Sequence, residues 1–340
     1  MYQVFATIDP RTSPAAAAEL ARRAETIGYD GLFVADGIHD GLLVAATALV
    51  ATSRIRVATG VLVAFPRSPM TVAHAAWDLQ ALSGGRFELG LGPQVRGNIV
   101  GRYGTPWTAP VPRMREYVQA LGAIFACFQH GEPLCFEGDH YRFTRLQPFF
   151  NPGPIEHPTI PIVLGAVGPK MTALTGEVAD ALLTHPTNSH PRYLAEVTRP
   201  RLAVGAVRVG RESNDVELRV TPLIATGVGE AQTRAEREKQ RQLLGFLYST
   251  PAYWPSLDLF GWRERGERLR QLTREGQWNE MLELVSDEML DTFVPTGPYS
   301  EIADILRERY ADQAPVLTFP LSDDPALDPE VAKVVSQLQA

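Results

Sequence analysis

The chain has 340 residues, 45% of them hydrophobic, which is enough for a large core and for either two ordinary domains or one α/β barrel with insertions. Its 32 basic and 39 acidic residues leave a net charge of -7 and form no basic stripe, which argues against a nucleic-acid surface. No charged-then-apolar leader follows Met1 and no apolar run reaches membrane length, so neither export nor membrane spanning is expected and the cytoplasm is the expected setting.

Taken in order, Tyr2 to Ile8 is a β-prone run, and Pro14 to Ile27 places Ala17, Leu20, Ala21, Ala24 and Ile27 on one helical face that Gly28 ends. Gly31 to Ala35 reads as a buried strand, Leu42 to Ala51 as a helix and Ile55 to Ala64 as the third strand. Ser68-Pro69 supplies an N-cap and a first-turn proline for a helix whose inner face is Val72, Ala75, Ala76, Leu79 and Leu82. Strand four is Phe87 to Leu91, and it runs into the small residues Gly90 and Gly92.

A proline-rich loop with Pro106, Pro110 and Pro112 then leads to a helix over Met114 to Phe128, and Leu134 to Phe143 reads as a hairpin around Gly138-Asp139. Strands five, six and seven are expected at Ile160 to Gly165, Ala181 to Thr184 and Val216 to Ala225, with a helix over Lys170 to Val178. Gly229 to Asp291 is helical and charged, with the aromatic pairs Phe246-Tyr248 and Tyr253-Trp254, and reads as an insertion by the barrel mouth. Tyr299 to Tyr310 is an amphipathic helix, and Pro315 to Phe319 would close the ring.

Alternating β and α units with short connections imply a parallel sheet with right-handed crossovers. No early strand ends in a dinucleotide glycine fingerprint followed by a ribose-binding acid, so a closed (β/α)8 TIM barrel fits better than an open doubly wound sheet. The expected organisation is one barrel domain over residues 1–340, with an inserted loop and hairpin at about 93–158 and a helical insertion at about 229–291. Reactive groups are then expected at the C-terminal strand ends. Cys127 and Cys135 are read as buried thiols rather than a disulfide, and no Cys or His cluster has zinc spacing.

Those strand ends carry the candidates. Asp36-Gly37-Ile38-His39-Asp40 puts an acid and an imidazole at the mouth, with His39 or Asp36 the group for proton transfer or substrate contact. Gly60 within a β-branched run marks either a bulge, a close backbone approach or plain packing space. Gly165-Ala166-Val167-Gly168-Pro169-Lys170 opens a helix and suits a phosphate, though an ordinary βα turn uses the same residues. Gln94, Arg96, Arg113 and Arg115 are candidates for an anion or a heterocycle edge, His185 and Trp107 for the substrate wall. His74, His130, His140, His157 and His190 are assigned structural roles.

Several of these segments together resemble the bacterial luciferase-like superfamily, and most closely its coenzyme F420-dependent oxidoreductases. The resemblance rests on Ala24 to Phe33, Ala81 to Gly92, Arg113-Met114-Arg115-Glu116, Phe136 to Tyr141 and Gly165 to Asp180, in that order along nearly the whole chain. It implies the luciferase-like TIM barrel and an F420-dependent hydride transfer to or from a small organic substrate, with a homodimer as the family expectation. An FMN-dependent monooxygenase, or a flavin-binding protein without turnover, is the alternative. The resemblance further implies that Gly60-Val61 takes the place of the family's non-prolyl cis peptide behind the cofactor ring. Gly165, Ala166, Gly168 and Lys170 would lie along the ribityl phosphate tail. Relatives that oxidise alcohols or sugars often carry His directly after the strand-two Asp and a Glu after strand four. Here Gly37 follows Asp36 and Pro93-Gln94 follows strand four, so sugar phosphate dehydrogenation is not carried over.

Overall fold

Caps fix the early helices as the sequence demands. Ser13 and Ser68 accept hydrogen bonds from the N–H groups of Ala16 and Met70, a proline follows each serine, and Gly28 (φ 105°) and Gly84 (φ 63°) end the helices Pro14–Ile27 and Pro69–Ser83 in the left-handed region. The computed structural model describes residues 1–311 and 313–340. The parallel strands are β1 (Gln3–Thr7), β2 (Gly31–Val34), β3 (Arg56–Thr59, resumed at Leu62–Val63), β4 (Phe87–Gly92), β5 (Ile162–Gly165), β6 (Ala181–Leu183), β7 (Glu217–Val220) and β8 (Val316–Pro320). Each pairs with its sequence neighbours, and β1 also pairs with β8, so the ring of eight is closed into a (β/α)8 barrel.

The third strand differs from its expected continuous run. Val57 pairs with Phe87 but Leu62 pairs with Leu91, so β3 takes five steps where β4 takes four and holds one extra residue, a bulge. The bond between Gly60 and Val61 is cis. Gly90, opposite the bulge, keeps its backbone paired through the buried Thr59 hydroxyl, which accepts from Gly90 N at 2.9 Å and donates to Gly90 O at 2.7 Å. Leaving either group unpaired in the interior would cost about 1–3 kcal/mol.

Charge closes the barrel bottom. Glu88 on β4 receives the guanidinium of Arg56 on β3 at 3.0 Å and that of Arg219 on β7, and Arg219 also holds Glu217 at 2.6 Å. Phe5 lies under both arginines and joins Phe33, Ala58, Val163, Ala181, Leu183 and Val316 in the interior cluster. A buried acid between two arginines is tolerable only because each charge is paired.

Beyond β7 the expected strand stops at Val220. Ala225 instead forms a parallel bridge with Thr296, through Ala225 N to Pro295 O (3.0 Å) and Gly297 N to Ala225 O (3.1 Å). The helical insertion therefore leaves and re-enters the barrel at one pinned point. Its helices Glu230–Tyr248, Trp254–Leu259, Arg263–Glu275, Trp278–Leu284 and Asp287–Phe293 enclose a second apolar cluster that includes Leu244, Tyr248, Leu257, Leu269, Met289 and Phe293.

Helices outside the sequence reading include Arg96–Gly101, the stretch from Pro191 to Arg208, and Asp328–Gln339. In the second, a π-helical turn at Leu194–Thr198 and the prolines at 191 and 200 blur the 3.6-residue period. Both cysteines are free thiols, with Cys127 buried and Cys135 exposed, so the expected burial holds for one of the two.

Candidate active site at the barrel mouth

At the β2 end the structure separates two residues that the sequence placed together. Asp36 accepts from Gly41 N (3.0 Å), Val63 N (2.9 Å) and both terminal nitrogens of Arg67 (2.8 and 3.1 Å), and its side chain is 4% exposed. Four donors and a paired cation make it an anchor that ties the β2 loop to the chain after the bulge. A carboxylate held by those donors is not free to move a proton or meet substrate, which corrects the expectation of Asp36 for either role. Arg67 also holds Asp40 at 2.9 Å. Burial works to raise the Asp40 carboxyl, but Arg67 and the N–H groups of Leu42 and Leu43 outweigh it and keep the group below its ordinary range.

His39 remains half-buried, and among the described residues it has no hydrogen-bond partner. Its loop is covered from one side by Arg102, whose guanidinium donates to Gly37 O. Sequence reasoning missed Arg67. The signal was present as two acids four residues apart after β2 and a lone arginine just before the Ser68 cap.

The floor of the mouth is the bulge itself. A Cβ added to Gly92 would lie 2.6 Å from Val61 Cγ2, and one added to Gly165 would lie 3.0 Å from Val61 Cγ1. Val61 therefore projects between the ends of β4 and β5, which are bare because a side chain on either would displace it. Of the readings left open for Gly60, the bulge is present and so is a close approach, since a Cβ there would lie 3.0 Å from the Phe33 ring; the product is an apolar platform with flat, side-chain-free flanks.

Next to the platform, the helix Pro169–Val178 begins at Gly168 with no side-chain cap, and Lys170 in its first turn is exposed without an ion pair among the described residues. Uncapped N–H groups and a free ammonium make this the electropositive edge of the mouth. Ala166 is buried and its carbonyl accepts from Asn188 Nδ2 at 3.0 Å, so it builds the turn.

Elsewhere the candidates divide. Gln94 (φ 59°) turns its side-chain oxygen back onto Val95 N (2.9 Å) and Asn98 Nδ2 (3.3 Å), and Arg96 is exposed at the start of the short helix that follows. Arg115 pairs with Glu177 at 2.6 Å. Arg113 lies 4.4 Å over Phe65 and donates to Phe65 O (3.0 Å), Pro106 O (3.1 Å) and the Tyr141 hydroxyl (2.9 Å). Both arginines are structural. Trp107 stands edge-on to Phe65 at 5.9 Å, half-buried beside the β3 end.

His185 follows β6 and stacks on Tyr253 of the insertion at 4.3 Å and 11°. His190 caps the next helix through Arg192 N (3.1 Å) and meets Phe260 and Phe293 edge-on. Burial lowers both imidazoles to about 4, with Arg309 and Arg192 adding to the effect at His190. The unfolded chain, with ordinary histidines near 6.5, binds more protons between those values, so these two groups should make stability fall as pH drops from about 6.5 to 4, below which their own contribution is constant. Urea unfolding at steps across that window should show a shallower fall in the His185→Gln/His190→Gln variant; an unchanged slope would contradict this.

Among the described residues, no three His, Cys, Asp or Glu side chains could hold a metal ion, and no helix is long and apolar enough to cross a membrane. The closed barrel with its bulged third strand is accompanied by a match of residues 1–315 to the model of the luciferase-like monooxygenase family. The chain belongs to that family. It is 42% identical over 295 residues to the uncharacterized protein Rv1360 of Mycobacterium tuberculosis, covering 87% of this chain and 86% of that one. It is 26% identical over 294 residues to the 5,10-methylenetetrahydromethanopterin reductase of Archaeoglobus fulgidus, covering 84% and 83%. The coenzyme F420-dependent tetrahydromethanopterin reductase of Methanopyrus kandleri shares the fold, with a TM-score of 0.80 at 20% identity over 99% of this chain and 98% of that one.

Proposed function

We propose that this protein is an F420-dependent oxidoreductase that binds the deazaflavin at the barrel mouth and passes a hydride between it and a small organic substrate. The observation that carries the reading is the Val61 platform, flanked by Gly92 and Gly165 and bordered by the uncapped helix start at Gly168 and by Lys170. A flat ring with an anionic tail has the shape and charge this surface complements. Similarity to the putative coenzyme F420-dependent oxidoreductase Rv3520c of Mycobacterium tuberculosis, 30% identical over 323 residues and 84% of each chain, supports F420 over FMN.

When bound, F420 supplies the two-electron hydride chemistry. Val61 would back the ring, while Lys170 and the N–H groups after Gly168 would hold the phosphate end. His39, without a hydrogen-bond partner among the described residues, would take or return the proton at the substrate oxygen. Asp36 and Arg67 keep its loop in place through the bonds to Gly41 and Val63. Anaerobic mixing of the loaded enzyme with secondary alcohols, or of reduced F420 with ketones, aldehydes and enones, should change the cofactor's visible absorbance. Product formed only with reduced FMN and oxygen would instead indicate a monooxygenase, and tight cofactor binding without any turnover a binding protein.

A further inference from the structure

The mouth is not chemically uniform, and its β6–β7 side differs from the Lys170 side. The segments 184–190 and 221–229, and the 249–257 stretch of the insertion that carries Tyr253, contain no Asp, Glu, Lys or Arg. Their polar groups are largely consumed by one another. Thr184 Oγ1 meets Ser189 Oγ at 2.7 Å and accepts from Thr221 N at 2.9 Å, while Ser189 Oγ donates to Thr221 O at 3.0 Å. Asn188 Oδ1 accepts from His185 N at 2.7 Å.

The Thr226 hydroxyl has no partner among the described residues, and His185 leaves a second polar group over. Its Nδ1 accepts from Thr187 N at 3.3 Å and lies 2.8 Å from Thr187 Oγ1. A nitrogen that accepts a backbone N–H carries no proton, so in the neutral ring the proton sits on Nε2. Among the described residues Nε2–H has no partner, and the stack on Tyr253 fixes the plane in which it points. Since burial alone brings the imidazole to about 4, the ring is a neutral donor at neutral pH and not an acid.

We infer that His185 and Tyr253 form a subsite for an uncharged hydrogen-bond acceptor, a carbonyl or hydroxyl oxygen of the substrate, and that this side of the mouth rejects substrates carrying a carboxylate or phosphate there. The inference rests on the oxidoreductase reading and specifies its substrate side. An anion placed here would lose its water beside segments that carry no cation, whereas a neutral oxygen gains the unpaired Nε2–H donor. His185 is thus a specificity residue, and Tyr253 positions it from the insertion.

Methyl levulinate and levulinate, which share a ketone and differ by one charge, are the probes. In the F420-loaded enzyme, long-range nitrogen NMR should show His185 as the Nε2–H tautomer. Its Nε2 signal should move on adding methyl levulinate and stay still with levulinate. His185→Leu and Tyr253→Ala should weaken methyl levulinate binding by at least about tenfold, while His185→Gln, which keeps a donor, and Tyr253→Phe, which keeps the stack, should change it less. F420 affinity should be unaffected in all four. Equal binding of both probes, no binding of methyl levulinate, or undiminished binding to both His185→Leu and Tyr253→Ala would overturn the inference. Failure of the F420 reading shows separately, as wild-type protein that does not take up F420, and the His185 signal is then read on the cofactor-free protein.

Discussion

Replacing Glu88 with glutamine should destabilise the barrel by about 3–5 kcal/mol, the range for removing one partner from a buried ion pair. Glu88 and Arg219 are 3% and 4% exposed, and Arg56 reaches the same carboxylate from the next strand. Glutamine keeps the shape but leaves two guanidinium groups with only Glu217 and the Gln3 amide nearby. The control is the double variant Glu88→Leu/Arg219→Leu, which removes donor and acceptor together and should recover much of the loss. Urea unfolding measures both, and a Glu88→Gln midpoint equal to wild type would show that the network carries no net stability. F420 affinity should change little where the variant is folded, because the network sits at the opposite end of the barrel from Val61.

How this pair escaped the sequence reading is instructive. Glu88 stands in a strand whose other residues are apolar and Arg219 two residues from Glu217 in its own, and nothing local says that strands β4 and β7 meet across the interior; only closure of the ring brings them together. The elements themselves were legible where local physics decides them. Ser13, Ser68, Gly28 and Gly84 mark helix ends by capping chemistry, and the face Ala17, Ala21, Ala24 is buried as its period requires. The C-terminal helix carries the same period, in Val331, Val334, Val335 and Leu338, all buried.

For the site, position was readable and partnership was not. His39, Gly165, Gly168, Lys170 and His185 all stand at C-terminal strand ends, as the alternation implied. That Asp36 belongs to Arg67, and that Thr59 repairs the ladder beside the bulge, depends on contacts between strands. Neighbouring residues such as Asp36 and His39 are poor guides to which side chains touch, because a loop leaving a strand turns them apart.

His39→Ala should lower kcat by about 10²–10⁴-fold, the usual worth of a positioned proton donor or acceptor, with F420 affinity unchanged. The residue is half-buried and makes no hydrogen bond among the described residues, so its removal should leave the fold intact. Asp36→Asn supplies the contrast. It weakens the clamp on Arg67, Gly41 and Val63 and should reduce stability as well as turnover. Steady-state kinetics with F420 and a secondary alcohol or ketone that the wild type turns over, read beside thermal unfolding of each variant, separates the two roles. A His39→Ala enzyme with kcat within a few-fold of wild type would remove His39 from the mechanism.

The central claim is that the mouth built on Val61, Gly92, Gly165, Gly168 and Lys170 takes a deazaflavin. Its most direct test is a paired anaerobic titration of cofactor-free protein with F420 and with FMN at fixed salt, followed by calorimetry or fluorescence. The account predicts saturable binding of F420 and much weaker binding of FMN; a clear preference for FMN, or binding of neither, would contradict it.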